Sequence, residues 1–450
     1  MNSPAFHWFL RLWAAAAFFH FVGNPPTLRI GGATGPLAAT SLGVALAALL
    51  VLVKPNLRGA VGALAALQVT TALLEAPILG NHMVITALVA LVLLGALTQK
   101  DAWAAFAPGA RAVTIACYGF AAFSKLNSGF FDPFVSCALA YSNRWLSGFG
   151  LPLISAGGPM AMVAIVGTTV TELLIPVLFL IPATRRFGVA LGFLFHFAVS
   201  YDFQQHIYDF TALLLALFSL FLPDLTLLQL GKLPQPKKPR PLQLAVGVIA
   251  VSFVIAAIIP PTEGSYRLIK DGPWVLWIPF SLWVVVRTLQ AIRRLGPAQP
   301  LGRPTAFAFA VLALAIFNGL TPYLELKTAS GFNMYANLVT ANGRSNHFLI
   351  PRTAQLSDAQ AVRYQVLDSN DEGLAQYKDS GWWIPRERLL HYLAQRPGIE
   401  VQVAVNGGEF IKLTSADGVA LPWWKERFGL FRSLDSNEPP RCQLQWLPAY

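Results

Sequence analysis

Eleven apolar stretches joined by polar turns leave this chain few ways to fold in water. They run over 8–23, 37–53, 60–79, 83–98, 112–126, 158–181, 187–201, 207–222, 241–260, 273–288 and 304–322. Roughly 20 apolar residues cross a bilayer as an upright helix, and in lipid every backbone polar group must be satisfied inside the segment. Several of these stretches are shorter than that. Apolar residues make up 55% of the 450 and charged residues 12%, a charged share about half that of a soluble domain. The sequence reads as an all-α polytopic membrane bundle of about eleven transmembrane helices, followed by a small C-terminal extracytoplasmic domain that is α+β or β-rich.

The net charge of +11 would point to nucleic acid if it covered a soluble surface. It does not: residues 1–322 hold 20 Lys/Arg against 9 Asp/Glu, and residues 323–450 hold 13 of each. The whole excess lies in the membrane part, where basic loops set orientation, and no nucleic-acid partner is expected. The N-terminal segment and alternate loops carry fifteen of those cations, Arg111 among them, and the opposite set carries five: Arg29, Lys125, Arg144, Arg267 and Lys270. That asymmetry places the N-terminus in the cytoplasm and the tail outside, in a multi-pass protein of the cell membrane, a bacterial inner membrane by expectation.

Three segments are expected: a membrane domain over 1–230, further transmembrane helices over 231–322 after the basic linker GKLPQPKKPRP, and a soluble domain over 323–450. Within 127–157, FVSCALAYSNRWL has near-helical apolar spacing and reads as a helix lying in the outer interface. In the tail, PRERLLHYLAQR has helical periodicity with proline in its first turn. IEVQVAV, Asn406-Gly407-Gly408 and EFIKL read as a hairpin. Trp382, Trp383, Trp423 and Trp424 are expected to be exposed. Of three cysteines, Cys137 with Cys442 is the one pair worth testing as a disulfide.

With this orientation the ionisable residues of the spans collect toward the outer face. His20 ends the first span, Asn81 and His82 form an outer turn with Glu75 below them, and FHFAVSYDFQQHIYDF brings His196, Asp202, His206 and Asp209; Glu172 lies deeper. Six of the seven histidines fall in the outer half or beyond it. Charges in spans usually face one another or a wet cavity, so these residues describe an outward polar chamber. Each also has a plainer reading: His82 caps a helix, Glu75 and Glu172 bond neighbouring helices, and Asp209 and Arg144 serve structure. The spacing of His196, Asp202 and His206 matches no standard metal pair, and no metal is expected. Lys125 closes an apolar run, and two readings stay open for it. It either snorkels to the headgroups, or its desolvated amine acts as a base.

GFAAFSKLN (119–127) with its aromatic turn, Glu75 with Asn81-His82 before an apolar span, and Phe195-His196 before a polar turn occur in a telling order. Together they resemble the membrane domain of vitamin K-dependent gamma-carboxylase, shared by bacterial horizontally transferred transmembrane (HTTM) domain proteins. The similarity covers roughly residues 5–225. It implies a lyase-type carboxylation site that uses a reduced quinone of the vitamin K or menaquinone type, oxygen and carbon dioxide. By that resemblance Lys125 deprotonates the quinol and His82 supports the later steps. Asn81, His196, Tyr118, Phe123 and Asn127 would line the cofactor pocket, and Glu75, Glu172, Asp202, His206 and Arg144 the rest of the chamber. Implied partners are membrane lipid, the lipid-soluble quinone and a secreted peptide or protein acceptor. The chain departs from the family in its 128-residue tail, much shorter than a carboxylase's luminal region, and in a longer turn after His196. A membrane transporter, a peptide maturation or export partner without carboxylase activity, and a non-catalytic scaffold are the alternatives.

Overall fold

The computed structural model describes residues 3–25, 35–205, 207–223, 226–227, 230, 241–259, 263–292 and 300–443. The apolar stretches are helical: α1 (Pro4–Gly23), α2 (Gly35–Val53), α3 (Arg58–Glu75), α4 (Asn81–Leu97) and α5 (Ala102–Phe123). Two short helices follow, α6 (Ser128–Phe131) and α7 (Cys137–Gly148), and then α8 (Pro159–Leu180), α9 (Arg185–Val199) and α10 (Tyr208–Ser219). The last group is α11 (Pro241–Ile258), α12 (Glu263–Asp271), α13 (Trp274–Ile292) and α14 (Ala306–Leu320). Among the described residues four helices are long and apolar enough to cross a membrane: α1, α2, α8 and the run Ile269–Ile292. Four shorter ones, Asn81–Leu97, Tyr208–Ser219, Leu244–Ile258 and Ala306–Leu320, are also apolar. Helix length alone therefore supports fewer crossings than the eleven expected. The basic linker lies, but for Pro241, outside the described residues.

Arg111 corrects one boundary. It was expected in a cytoplasmic turn ahead of a span starting at 112, but it lies inside α5, which begins at Ala102. Its buried guanidinium donates from Nε to the Leu220 carbonyl at 2.7 Å. Carbonyls at a helix end have no partner in their own helix, and the one at the end of α10 accepts this charge.

Packing divides the chain into two compact units. The first comprises Met1–Glu75, His82–Ala116 and Thr171–Ala315, and the second Ala76–Asn81, Cys117–Val170 and Ile316–Tyr450. The division differs from the expected boundaries, because 117–170 packs with the C-terminal region and not with the N-terminal helices. Pairing between residues far apart in sequence causes this, and local composition does not report it.

In the first unit α1 packs against α2 and α10, α2 against α3, and α9 against α10 and α13. The sequence of α1 suits a central helix: Trp8, Trp13, Phe6 and Phe9 are fully or nearly fully buried, and the run Ala14–Ala17 lets neighbouring backbones come close. On α2, by contrast, Leu46, Leu50 and Val53 are exposed, as are Met160, Val163, Val170 and Leu174 on α8. Continuous apolar faces of this kind are costly in water and are what a lipid-facing helix presents.

The second unit carries the β-structure. β1 (Thr340–Ala341) pairs with β2 (Arg344–Ser345). A five-stranded antiparallel sheet is built from β3 (Arg363–Ser369), β4 (Trp382–Pro385), β5 (Glu400–Val405), β6 (Phe410–Thr414) and β7 (Leu434–Asp435), in the order β6-β5-β3-β4-β7. Short helices α15 (Glu372–Ala375), α16 (Arg386–Gln395) and α17 (Trp423–Phe428) complete it. Leu389, Tyr392 and Leu393 of α16 pack on Val366, Val401 and Val403 of the sheet. The expected hairpin is β5–β6, turned by Asn406 and Gly407 at φ 49° and 75°. Asparagine and glycine are the residues that tolerate this left-handed backbone. Cys137 and Cys442 form a disulfide, and Cys117 is a buried free thiol. Trp423 and Trp424 are exposed as expected, but Trp382 and Trp383 are half-buried, because β4 places them between β3 and β7.

Candidate functional site

Three residues far apart in sequence meet inside the first unit. His20 lies in the last turn of α1, His82 is the second residue of α4, and Asp209 is the second residue of α10. A carboxylate in the first turn of a helix is favoured by the partial positive charge of the helix N-terminus. Asp209 Oδ2 accepts from Asn24 Nδ2 at 2.9 Å and lies 3.1 Å from His20 Nδ1. His82 Nε2 stands 3.3 Å from the same oxygen. The two imidazoles meet edge to face, 5.3 Å between ring centres. Their side chains are about one-fifth exposed and that of Asp209 is 8% exposed.

The cluster lines a cavity of about 30 Å³ whose remaining walls are mostly apolar, with Trp13, Phe21, Val44, Met83 and Leu213 among them. Trp13 Nε1 donates to buried Gln68 Oε1 at 2.9 Å, which fixes the indole as part of the wall. The hydroxyls of Ser41 and Thr71 also line the cavity, and neither has a hydrogen-bond partner among the described residues. The same holds for His20 Nε2 and His82 Nε2 as hydrogen-bonding atoms. Buried polar atoms are nearly always paired, so four unpaired ones around one cavity suit a polar occupant. Chemically, an imidazole here can take up or give a proton while the adjacent carboxylate compensates its charge.

The other expected residues of this unit are nearby in part. The His196 ring is buried against Phe210 and Phe218, each 5.7 Å between centres, and Phe210 also meets the His82 ring at 6.1 Å. Asp202 is buried and accepts the backbone N–H groups of Gln204 and Gln205, which fixes the turn after α9. Glu75 ends α3 near enough to His82 to act on its charge. Glu172 is half-buried in α8. His206 lies outside the described residues.

Lys125, Tyr118, Phe123, Asn127, Asn81 and Arg144 belong to the second unit. Lys125 follows the end of α5 and is buried, 7% exposed, with Nζ donating to the Ala121 carbonyl at 3.2 Å. Phe123 stacks 4.4 Å from the His347 ring, whose Nε2 lies 2.9 Å from the Phe123 carbonyl, and Tyr118 is buried. Asn127 is wholly buried and fully engaged: it donates to the Ser124 and Ala336 carbonyls and accepts from Phe130 N and from Asn346 Nδ2. Asn81 accepts from Phe332 N at 2.7 Å. Arg144 lies over the Tyr141 ring at 4.3 Å.

In sequence Asp209 reads as structural, and Asn24 carries no signal of its own. The one local signal was an acid opening an apolar helix, which is costly unless paired; its partners sit 189 and 185 residues away. Comparisons of the chain with protein-family models, with curated proteins and with solved structures found no match.

Proposed function

We propose that the chain is an integral membrane enzyme, similar to vitamin K-dependent gamma-carboxylase and its HTTM relatives. It acts on a reduced quinone of the vitamin K or menaquinone type together with oxygen. In this reading all eleven apolar helices cross the bilayer, the N-terminus is cytoplasmic, and the site and C-terminal domain face outward. The observation that carries the reading is the cavity of the first unit, mostly apolar and lined also by His20, His82 and Asp209. A proton-exchanging cluster beside apolar side chains is the chemistry that a lipid-soluble quinol needs, and because the free volume of about 30 Å³ holds only water, a quinol enters only when the lining side chains move apart.

The residues present fit a quinol. Apolar side chains such as Phe21 and Leu213 match its hydrocarbon body, and the unpaired Ser41 and Thr71 hydroxyls and imidazole nitrogens match its oxygens. When bound, the reduced quinone supplies an acidic hydroxyl and two electrons for oxygen. By the resemblance, removal of the hydroxyl proton falls to the Lys125 amine, which belongs to the second unit and is not among the residues lining this cavity. His82, held against Asp209, donates a hydrogen bond to developing negative charge. Asp209 keeps the imidazole oriented.

The test is turnover by the full-length protein in lipid nanodiscs, supplied with reduced menaquinone or vitamin K and oxygen. Mass spectrometry should detect quinone epoxide formed enzymatically. Reduced quinone recovered unchanged beyond its spontaneous oxidation would overturn the reading.

A further inference from the structure

His20, His82 and Asp209 each offer one ligand-type atom, and these atoms all lie within 4.8 Å of one another. We propose that they bind one divalent first-row transition ion, Fe²⁺ or Zn²⁺, within the first unit. The proposal goes beyond the quinol reading and does not depend on it; with an ion bound, His82 Nε2 is a ligand and no longer a partner for a quinol oxygen.

Four observations carry it. First, the donors come from three separate helices, α1, α4 and α10, so packing within one unit preassembles them. Second, two of the three donor separations suit a shared ion. Donors on one ion at roughly 2.0–2.1 Å stand roughly 3.3–3.4 Å apart along an edge of a tetrahedron and roughly 2.8–3.0 Å apart along an edge of an octahedron. The two nitrogen-to-oxygen separations here are 3.1 and 3.3 Å. Third, His82 Nε2 is a buried atom that lacks the alignment of a hydrogen bond to Asp209 despite that distance. Fourth, Ser41 and Thr71 bring unpaired hydroxyls to the same cavity, where they would hydrogen-bond a water on the ion.

The donor set selects the metal class. Two imidazoles and one carboxylate are borderline nitrogen and oxygen ligands. They suit iron, zinc or cobalt over calcium or magnesium, which take oxygen, and over copper(I), which takes sulfur. Three protein ligands leave coordination positions open toward the cavity, as reactive metal sites do and closed structural ones do not. Asn24, whose amide donates to Asp209 Oδ2, orients the carboxylate from outside the ligand set.

The experiment uses the full-length protein, purified in detergent and stripped with chelator. It is then titrated with Co²⁺ read by visible absorption, and separately with Fe²⁺ and Zn²⁺ read by elemental analysis after gel filtration. The expected result is about one ion per chain, with affinity lowered at least about 100-fold in His20→Ala, His82→Ala and Asp209→Asn. Asn24→Ala should lower it by less, about tenfold. Monodisperse elution and an unchanged helical spectrum identify variants that remain folded. Folded wild-type protein that binds none of the three ions, or folded ligand variants that bind as tightly as wild type, would overturn the assignment.

Discussion

Replacing Asp209 with alanine removes the carboxylate that accepts from Asn24 Nδ2 at 2.9 Å, lies 3.1 Å from His20 Nδ1 and faces His82 Nε2 at ion-pair distance, 3.3 Å. Leaving a buried polar group without its partner costs about 1–3 kcal/mol. The imidazoles are each about one-fifth exposed and recover part of that by hydration. The net loss should therefore be about 2–4 kcal/mol, well short of three full penalties. Asp209→Asn keeps the shape and one acceptor oxygen but loses the charge, so it should cost about half as much. The assay is equilibrium unfolding of the purified protein in mixed micelles of rising SDS content, followed by loss of helix. A double-mutant cycle with His82→Ala isolates the pair, and the coupling should be about 1–2 kcal/mol. Additivity within about 0.3 kcal/mol would refute the claim that Asp209 and His82 act as one unit.

Three further outcomes concern the second unit. Asn127→Leu strands the Ser124 and Ala336 carbonyls and the Phe130 N–H, and should destabilise the protein by about 3–5 kcal/mol; a loss under about 1 kcal/mol in the same unfolding assay contradicts that. Burial pushes His347 and His391 below the usual imidazole value; Arg388 adds to the effect at His391, while the Phe123 carbonyl and Glu426 oppose it. In each ring Nδ1 accepts backbone N–H, from Leu349 and Ile350 and from Leu421 respectively. The folded-state values lie below the unfolded one, so this stability is complete above about pH 6.5 and is lost as pH falls through the folded values. Melting temperature should drop between about pH 7 and pH 5, and less steeply in His391→Gln; parallel curves would contradict the assignment. Finally, thiol labelling of denatured protein should modify only Cys117 before reduction and all three cysteines after it; labelling of Cys137 or Cys442 without reductant would refute the bridge.

The helices were legible because apolar runs and their interruptions are local facts. The β5–β6 hairpin was legible because Asn406-Gly407 supplies the left-handed backbone the turn needs. Arg111 was misread because a cation in sequence marks a loop, and what stabilises it in α5 is a carbonyl 109 residues later. The site was half legible. His82 and His20 stood out as polar groups at span ends, whereas the part played by Asp209 depends on a helix end 189 residues earlier. Asn81 and Asn127 were candidates by neighbourhood to the motifs, and the fold spends their amides on backbone groups that only tertiary packing brings near.

The proposed quinol oxidation requires His82 of the first unit and, by the resemblance, Lys125 of the second. Its most direct test is the initial rate of epoxide formation by nanodisc-embedded wild type, Lys125→Ala, His82→Ala and, as control, Lys412→Ala, whose exposed amine pairs with Glu400 at 2.7 Å. Removing a positioned acid or base costs about 10²-fold or more. The account predicts losses of at least that size for the first two variants and an unchanged rate for the control. A Lys125→Ala rate within about twofold of wild type would contradict it.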